Sequence, residues 1–465
     1  MTLKKWINLA ALLVCVFSFG QTNYTNYFLK NNSSKTHYNP ALYQTNSYVE
    51  HFDLLSECVQ INTNINYTDL IQKGSGELTD SLVLNIHRFI SKLDQIGYLD
   101  LKAELNYFTM GIGVNSRQVV LRKKPQRYIE FSVKERNNIS IDFNKNYLLL
   151  MAKGNAPFYH KDFSTGHAGV NFSSYKEFAI THSRPLSDNL VVGLRLKALF
   201  GQIHFNTKAF EFVLNGMNNN SDADTSADVH FQMSGPIDVT LCEDGFFESL
   251  SIGPLSSQFH FKNPGIAFDL GVAYEFSPKI RFGASVNDVG KIWWSDQTKQ
   301  LAVNTSYKFK PFDLGQFIDD EDNSSVQKWL VETSDELKNT YRLTKTFASY
   351  SETLPFVANT SLQYEVNPFL DVGLLLTHRV AHHFQYSNLV LSTNLGIYDF
   401  FSLSPVLVLQ KGGYFIGCST SFKVNDLQLS LVVNDIQGIV SPAKIKGVGA
   451  AFGISYIVEP KKRWL

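Results

Sequence analysis

The sequence predicts an all-β chain that spans a membrane as an antiparallel barrel, and three observations predict it. Strand-length segments alternate apolar with polar or small residues. Beyond the N-terminus no run reaches the roughly 18 apolar residues a membrane helix needs. Short turns also alternate with much longer connections, as expected of a barrel with one tight rim and one elaborated rim.

The alternation is strictest in VQINTNINY. Val59, Ile61, Thr63, Ile65 and Tyr67 fall on one face, and Gln60, Asn62, Asn64 and Asn66 on the other. In a membrane barrel the apolar set meets lipid and the asparagines meet the lumen. GIAFDLGVAYEF sets Ile266, Phe268, Leu270, Val272, Tyr274 and Phe276 against Gly265, Ala267, Asp269, Gly271, Ala273 and Glu275. LVVGLRLKALFG sets Val192, Leu194 and Leu196 against Gly193, Arg195 and Lys197, and KIRFGASVNDVG sets Ile280, Phe282, Ala284 and Val286 against Arg281, Gly283, Ser285 and Asn287. YFIGCSTSFKV and LQLSLVVND continue the pattern toward the C-terminus. A large soluble β-sandwich gives the same period with the sides exchanged. The small residues mixed with charges on the polar faces favour a filled lumen. So do the short turns at 184–189, 277–279, 366–368 and 424–426, with Tyr274, Phe276, Tyr364, Phe369 and Phe422 placed as an interfacial girdle would be. The connection 211–262 reads as a long loop.

Composition agrees. The 465 residues carry a formal charge of +0, 44% are hydrophobic and 18% charged, below the usual quarter for soluble domains. Balanced charge gives no reason to expect nucleic acid as a partner. Residues 1–20 have a basic start (MTLKK), a short apolar stretch and small residues at Ser18 and Gly20, the pattern of an export signal. A transmembrane anchor would need a longer apolar run. The expected organisation is thus a signal at 1–20, a plug segment at 21–50, the barrel at 51–458 and a tail, EPKKRWL, at 459–465. Cys15 belongs to the apolar stretch. Cys58, Cys242 and Cys418 are odd in number and widely spaced, which argues against a disulfide framework or a metal site.

Two segments read as helices. Residues 81–97 place Leu82, Ile86, Phe89, Ile90 and Leu93 at helical spacing behind Asp80 as a cap, and 324–343 place Val326, Trp329, Leu330 and Leu337 on one stripe. Each is either a mouth or plug helix or a helix capping a loop.

The stretches KNPGIAFDLGVAYEFSPKIRFGASVNDVGKIWW (262–294), LVVGLRLKALFGQIHFNTK (190–208) and NKNYLLLMAKGNAPF (144–158) resemble an uncharacterised outer-membrane barrel family of the Bacteroidota. Asn39, Pro40 and Ala41 form a turn that resembles the Asn-Pro-Ala of the plug region in FadL-like long-chain fatty-acid channels. The resemblance implies an outer-membrane location and about 14 strands. It supplies a place and a shape rather than a reaction. GVGAAFGISYIV (447–458) serves as a last strand, although the tail after it departs from the apolar, aromatic-ended closing strand of the FadL-like channels.

For chemistry, His378, His382 and His383 lie close together, and a metal at the first two would need helical spacing where a strand and loop are expected. No phosphate loop, zinc helix or nucleophile elbow is present, so no cofactor, metal or catalytic residue is assigned and an enzyme is not expected. Arg195, Lys197, Asp269, Glu275 and Arg281 are the expected lumen-facing charges, either lining a solute path or pairing to fill a closed lumen. The expected function is a plugged FadL-like channel for small hydrophobic molecules, in contact with outer-membrane lipid. The alternative is a non-transporting scaffold for outer-membrane or secreted proteins such as type IX secretion components, using 211–262 and DDEDNSS (319–325) as contact surfaces.

Overall fold

The computed structural model describes residues 25–29, 33–43, 50–73, 82–114, 127–153, 162–215, 223–242, 245, 247–253, 261–309, 331–332, 335–336, 339–397, 400–411, 413–436 and 449–458. The expected export signal, the C-terminal tail and the acidic stretch 319–325 lie outside these residues. Fourteen antiparallel strands form a closed barrel. They are β1 (Glu50–Thr63), β2 (Ile96–Val114), β3 (Arg127–Asn144), β4 (Ala168–Pro185), β5 (Leu190–Asn215), β6 (Pro264–Ser277) and β7 (Ile280–Trp294). They continue as β8 (Phe356–Asn367), β9 (Leu370–Val380), β10 (Gln385–Ile397), β11 (Phe401–Gln410), β12 (Gly413–Val424), β13 (Leu427–Val433) and β14 (Gly449–Val458). Each strand pairs with its sequence neighbour, and β14 closes on β1 from Glu50↔Val458 to Gln60↔Gly449.

Which face meets what is decided by exposure. On β6, Ile266, Leu270 and Phe276 are 57%, 49% and 62% exposed, while Asp269 between them is wholly buried. A soluble sheet would bury the apolar row; here it is the outer surface, as in a membrane barrel. Aromatic pairs sit near the tight turns, with Tyr274 against Phe276 at 4.9 Å and Phe401 against Phe422 at 4.9 Å. The turns 186–189, 278–279, 368–369 and 425–426 are on one rim. Asn425 there adopts a φ of 55°, a conformation asparagine tolerates better than most residues.

The elaborated rim departs from expectation in two places. The connection 211–262 is not a loop: β5 runs on to Asn215 and pairs with Ala223–Ser234, which in turn pairs with Lys299–Phe309. A separate hairpin joins Ile237–Leu241 to Phe247–Ile252. Ile203, Met233, Ile237, Val239 and Leu301 pack into a core of their own beneath this outer sheet, which explains why so long a connection stays folded. The first elaborated connection also differs. β1 ends at Thr63, and Asn64 turns aside to donate to Ile96 O (2.8 Å) and accept from Tyr98 N (2.9 Å). Asn64, Ile65, Asn66 and Tyr67 therefore do not extend the alternating strand: local capping of the next strand wins over the period. α1 (Tyr67–Leu70) follows, and α2 spans only Ile86–Lys92, capped by Asn85 accepting from Arg88 N at 3.0 Å; Asp80, the expected cap, lies outside the described residues. Phe89 and Ile90 form its buried face. Residues 144–158 supply α3 (Lys145–Lys153), which buries no residue. Of 324–343, the helical residues among those described are 331–332, 335–336 and 339–340.

Candidate functional site

Residues 25–29 and 33–43 lie inside the barrel as a plug with two unlike sides. Tyr27, Phe28 and Tyr38 pack on the inward Leu375, Val390, Val406, Val408 and Phe415, so this part of the lumen is apolar. The other side is polar. The carbonyl of Tyr38 accepts from Ser285 Oγ (2.7 Å), Asn287 Nδ2 (2.8 Å) and Asn359 Nδ2 (3.3 Å). Thr36 Oγ1 donates to Glu130 at 2.7 Å.

Asn39, Pro40 and Ala41 are held most tightly. Asn39 Oδ1 accepts from Ala41 N at 2.9 Å, closing an Asx turn ahead of the fixed φ of Pro40. Asn39 Nδ2 donates to Val272 O (3.0 Å) and Ala284 O (3.2 Å), carbonyls of facing residues on β6 and β7. Ser183 Oγ donates to Pro40 O at 2.5 Å. This close approach needs bare backbone on the wall. A Cβ at Gly193 would strike the Pro40 carbonyl, and one at Gly271 would strike the Asn39 side chain.

Outside this contact the wall carries a hollow of about 570 Å3. Two cross-strand rows of outward residues line it. One runs Arg184, Val192, Val272, Ala284, Thr360; the other runs His182, Leu194, Leu270, Val286, Ala358. Gly193 and Gly271 form its floor, and the Asn39–Pro40 backbone lies directly behind them.

Of the five expected lumen charges, the structure brings three together. Lys197 Nζ is 2.7 Å from Asp269 Oδ1, and Arg195 Nη1 is 3.7 Å from Asp269 Oδ2. Arg195 also reaches Glu130 at 2.5 Å. Glu275 and Arg281 lie apart from them at the tight-turn mouth, half exposed, where Arg281 is 3.9 Å from Glu275 and 3.4 Å from Glu365.

Several residues of the network were missed. Asp288 is shared by Lys197 (2.5 Å) and Arg136 (2.8 Å), and Arg136 also meets Glu177 at 2.9 Å. Strict alternation would turn Asp288 outward. Instead its φ is 66°, and a register shift opposite Asp269 lets both Asn287 and Asp288 turn inward. The hint was the side chain itself, since aspartate tolerates positive φ. Glu130, Lys134 and Arg136 were legible in YIEFSVKERNNISIDF, whose even positions all point inward.

The network leaves little space: a cavity of about 30 Å3, bounded by Tyr27, His37, Lys102, Glu104, Arg136 and Asp288, is on the scale of a single water. His37 on the plug accepts from Lys134 Nζ at 2.9 Å, and burial, reinforced by that ammonium, lowers its pKa to about 3, keeping it neutral. Toward the elaborated rim Arg379 on β9 meets Asp100 on β2 at 2.6 Å, and Tyr98 stacks on Phe384 and Tyr386. The three histidines part ways there. His378 bonds Ser387, His382 lies 2.7 Å from Glu352, and His383 stacks on His167 with centroids 3.7 Å apart. Among the described residues no group of side chains is arranged to hold a metal.

An apolar exterior, a closed ring of strands and an N-terminal segment filling the lumen define a plugged transmembrane β-barrel. A family model described as a family of unknown function (DUF5723) matches residues 40–434, and the chain belongs to that family. No curated protein matches it. Among solved structures it is similar to a FadL homologue of Pseudomonas aeruginosa, at 10% identity and a TM-score of 0.40 over 95% of this chain and 97% of that one. It is also similar to the toluene transporter TbuX of Ralstonia pickettii (9%, 0.41, 95% and 96%) and to a mutant of the monoaromatic hydrocarbon channel TodX (8%, 0.42, 96% and 98%).

Proposed function

We propose that the protein is an outer-membrane channel that passes small hydrophobic molecules between the membrane-facing hollow and the lumen by displacement of the plug turn. One observation carries this reading: behind the glycine floor of an apolar hollow of about 570 Å3 stands the Asn39–Pro40–Ala41 turn. An apolar solute gains free energy by entering such a hollow from water or by moving along it within lipid. The buried ion pairs point away from a polar pore, because their charges already satisfy one another around a cavity of only about 30 Å3. Arg195, Lys197 and Asp269 are read as structural filling, and Glu275 and Arg281 as a mouth pair. Under the scaffold alternative, 211–262 would offer a folded sheet with its own core rather than a loop as its contact surface. No catalytic role is assigned to any residue.

The test is binding of the neutral fluorophore N-phenyl-1-naphthylamine to the purified barrel in detergent. Ala284→Phe with Ala358→Phe fills the hollow from the lipid side without touching the plug. Loss of most binding, with the heat-modifiable folded form retained, is the expected outcome; unchanged binding removes the hollow from the path.

A further inference from the structure

The hollow has a chemically distinct flank. On β4 both outward residues at its edge are basic in character, His182 and Arg184, and both are exposed on a surface whose other outward residues are Val, Leu, Ala and Thr360. No described residue pairs with the Arg184 guanidinium. A cation on the lipid-facing side of a barrel is costly at mid-membrane and tolerated near the interface.

The position of Arg184 follows from the register. It is followed only by Pro185 before the tight turn, so it stands at the tight-turn rim. The row that starts with Arg184 climbs across β5, β6 and β7 to Thr360, which lies well up β8, a strand that reaches the same rim only at Asn367. Strand tilt makes the hollow an oblique trough, with a cationic lower end at headgroup depth and an apolar upper end toward the membrane middle.

We infer that this trough holds a phosphate-bearing lipid of the leaflet on the tight-turn side, its phosphate on Arg184 with His182 beside it and one acyl chain along Val272, Leu270 and Ala358. Guanidinium matches phosphate geometry with paired donors, and the unpartnered charge on a lipid-facing surface supplies the complementarity. The inference goes beyond the channel reading: the lipid is a resident of the wall whether or not a solute passes the plug.

Native mass spectrometry of the full chain tests it, after exchange in mild detergent with equimolar dioleoyl-phosphatidylglycerol, dioleoylglycerol and oleate. Wild type is expected to retain phosphatidylglycerol, and Arg184→Gln to retain at least tenfold less, with Arg184→Lys recovering part. Ala358→Phe is expected to lose the lipid through its chain rather than its head. Oleate or dioleoylglycerol retained as well as phosphatidylglycerol overturns the phosphate assignment. So does equal retention by Arg184→Gln, or no lipid on wild type. Naphthylamine binding by wild type, read in the same preparation, separates the two readings: lipid retained without dye binding sinks the channel reading alone, and dye binding without retained lipid overturns this inference alone.

Discussion

Asp100 on β2 and Arg379 on β9 are bonded to each other across the barrel, with Arg379 Nε donating to Asp100 Oδ2 at 2.6 Å and Nη2 to Oδ1 at 3.3 Å. In ring order these strands are on opposite sides. A circular barrel of this size would hold them roughly 25–30 Å apart, far beyond the reach of two side chains. The wall is therefore flattened toward the elaborated rim, and Tyr386 OH, donating to the same carboxylate at 2.9 Å, reinforces the contact.

Removing one partner leaves a buried charge uncompensated. Arg379→Met alone should cost about 3–5 kcal/mol, and Arg379→Met with Asp100→Leu distinctly less. Urea unfolding in detergent micelles, followed by the loss of the folded band on unheated gels, measures both.

Asn39→Ala removes three buried hydrogen bonds that hold the plug turn. At about 1 kcal/mol each, roughly 3 kcal/mol of plug anchoring is lost, while the wall, bonded through its own ladder, persists. Planar-bilayer recording should show brief openings absent from wild type; a silent Asn39→Ala protein would mean the turn is not what keeps the path closed.

Asp288→Ala removes a carboxylate shared by Lys197 and Arg136, which keep Asp269 and Glu177, and places a less tolerant residue at positive φ, so it should be more damaging than Asp288→Asn, which keeps the backbone preference. Equal stabilities for the two variants would show that the backbone preference at this bulge does not matter.

His37 is neutral when folded, with its pKa near 3, but titrates at about 6.5 in an unfolded chain. As pH falls from about 6.5 toward 3 the unfolded or unplugged state binds the proton and the native state does not, so the seating of the plug should weaken over that window. His37→Gln should flatten this dependence, measured as protection of residues near 37 from protease or cysteine labelling.

On β1, Ile61→Arg should cost about 2–4 kcal/mol if it reaches the bilayer middle. Asn62→Ser should be near neutral, because neither side-chain atom of the buried Asn62 has a hydrogen-bond partner. Equal tolerance would overturn the face assignment.

The barrel was legible because a period of two is imposed on every strand by the same requirement, apolar outward and compact inward. Arg195, Lys197 and Asp269 followed from that rule. What escaped it were places where a local interaction overrides the period: Asn64 capping β2, the bulge that turns Asp288 inward, and the outer sheet built on β5. The hollow was not readable either, since it depends on which glycines of two neighbouring strands fall side by side, a matter of register rather than composition. Nor could the sequence show that inward Leu375, Val390 and Val408 would make part of the lumen apolar, because their alternation partners are apolar too.

The plug touches the wall early and late in the chain. Thr36 meets β3, Asn39 meets β6 and β7, and Thr25 donates to Asn434 just past β13 while its carbonyl accepts from Ser419 on β12. A segment that precedes the wall is thus bound by strands late in it. Assembly has to gather the wall around this segment before the β1–β14 seam can zip, so the plug acts as a mandrel for the finished ring.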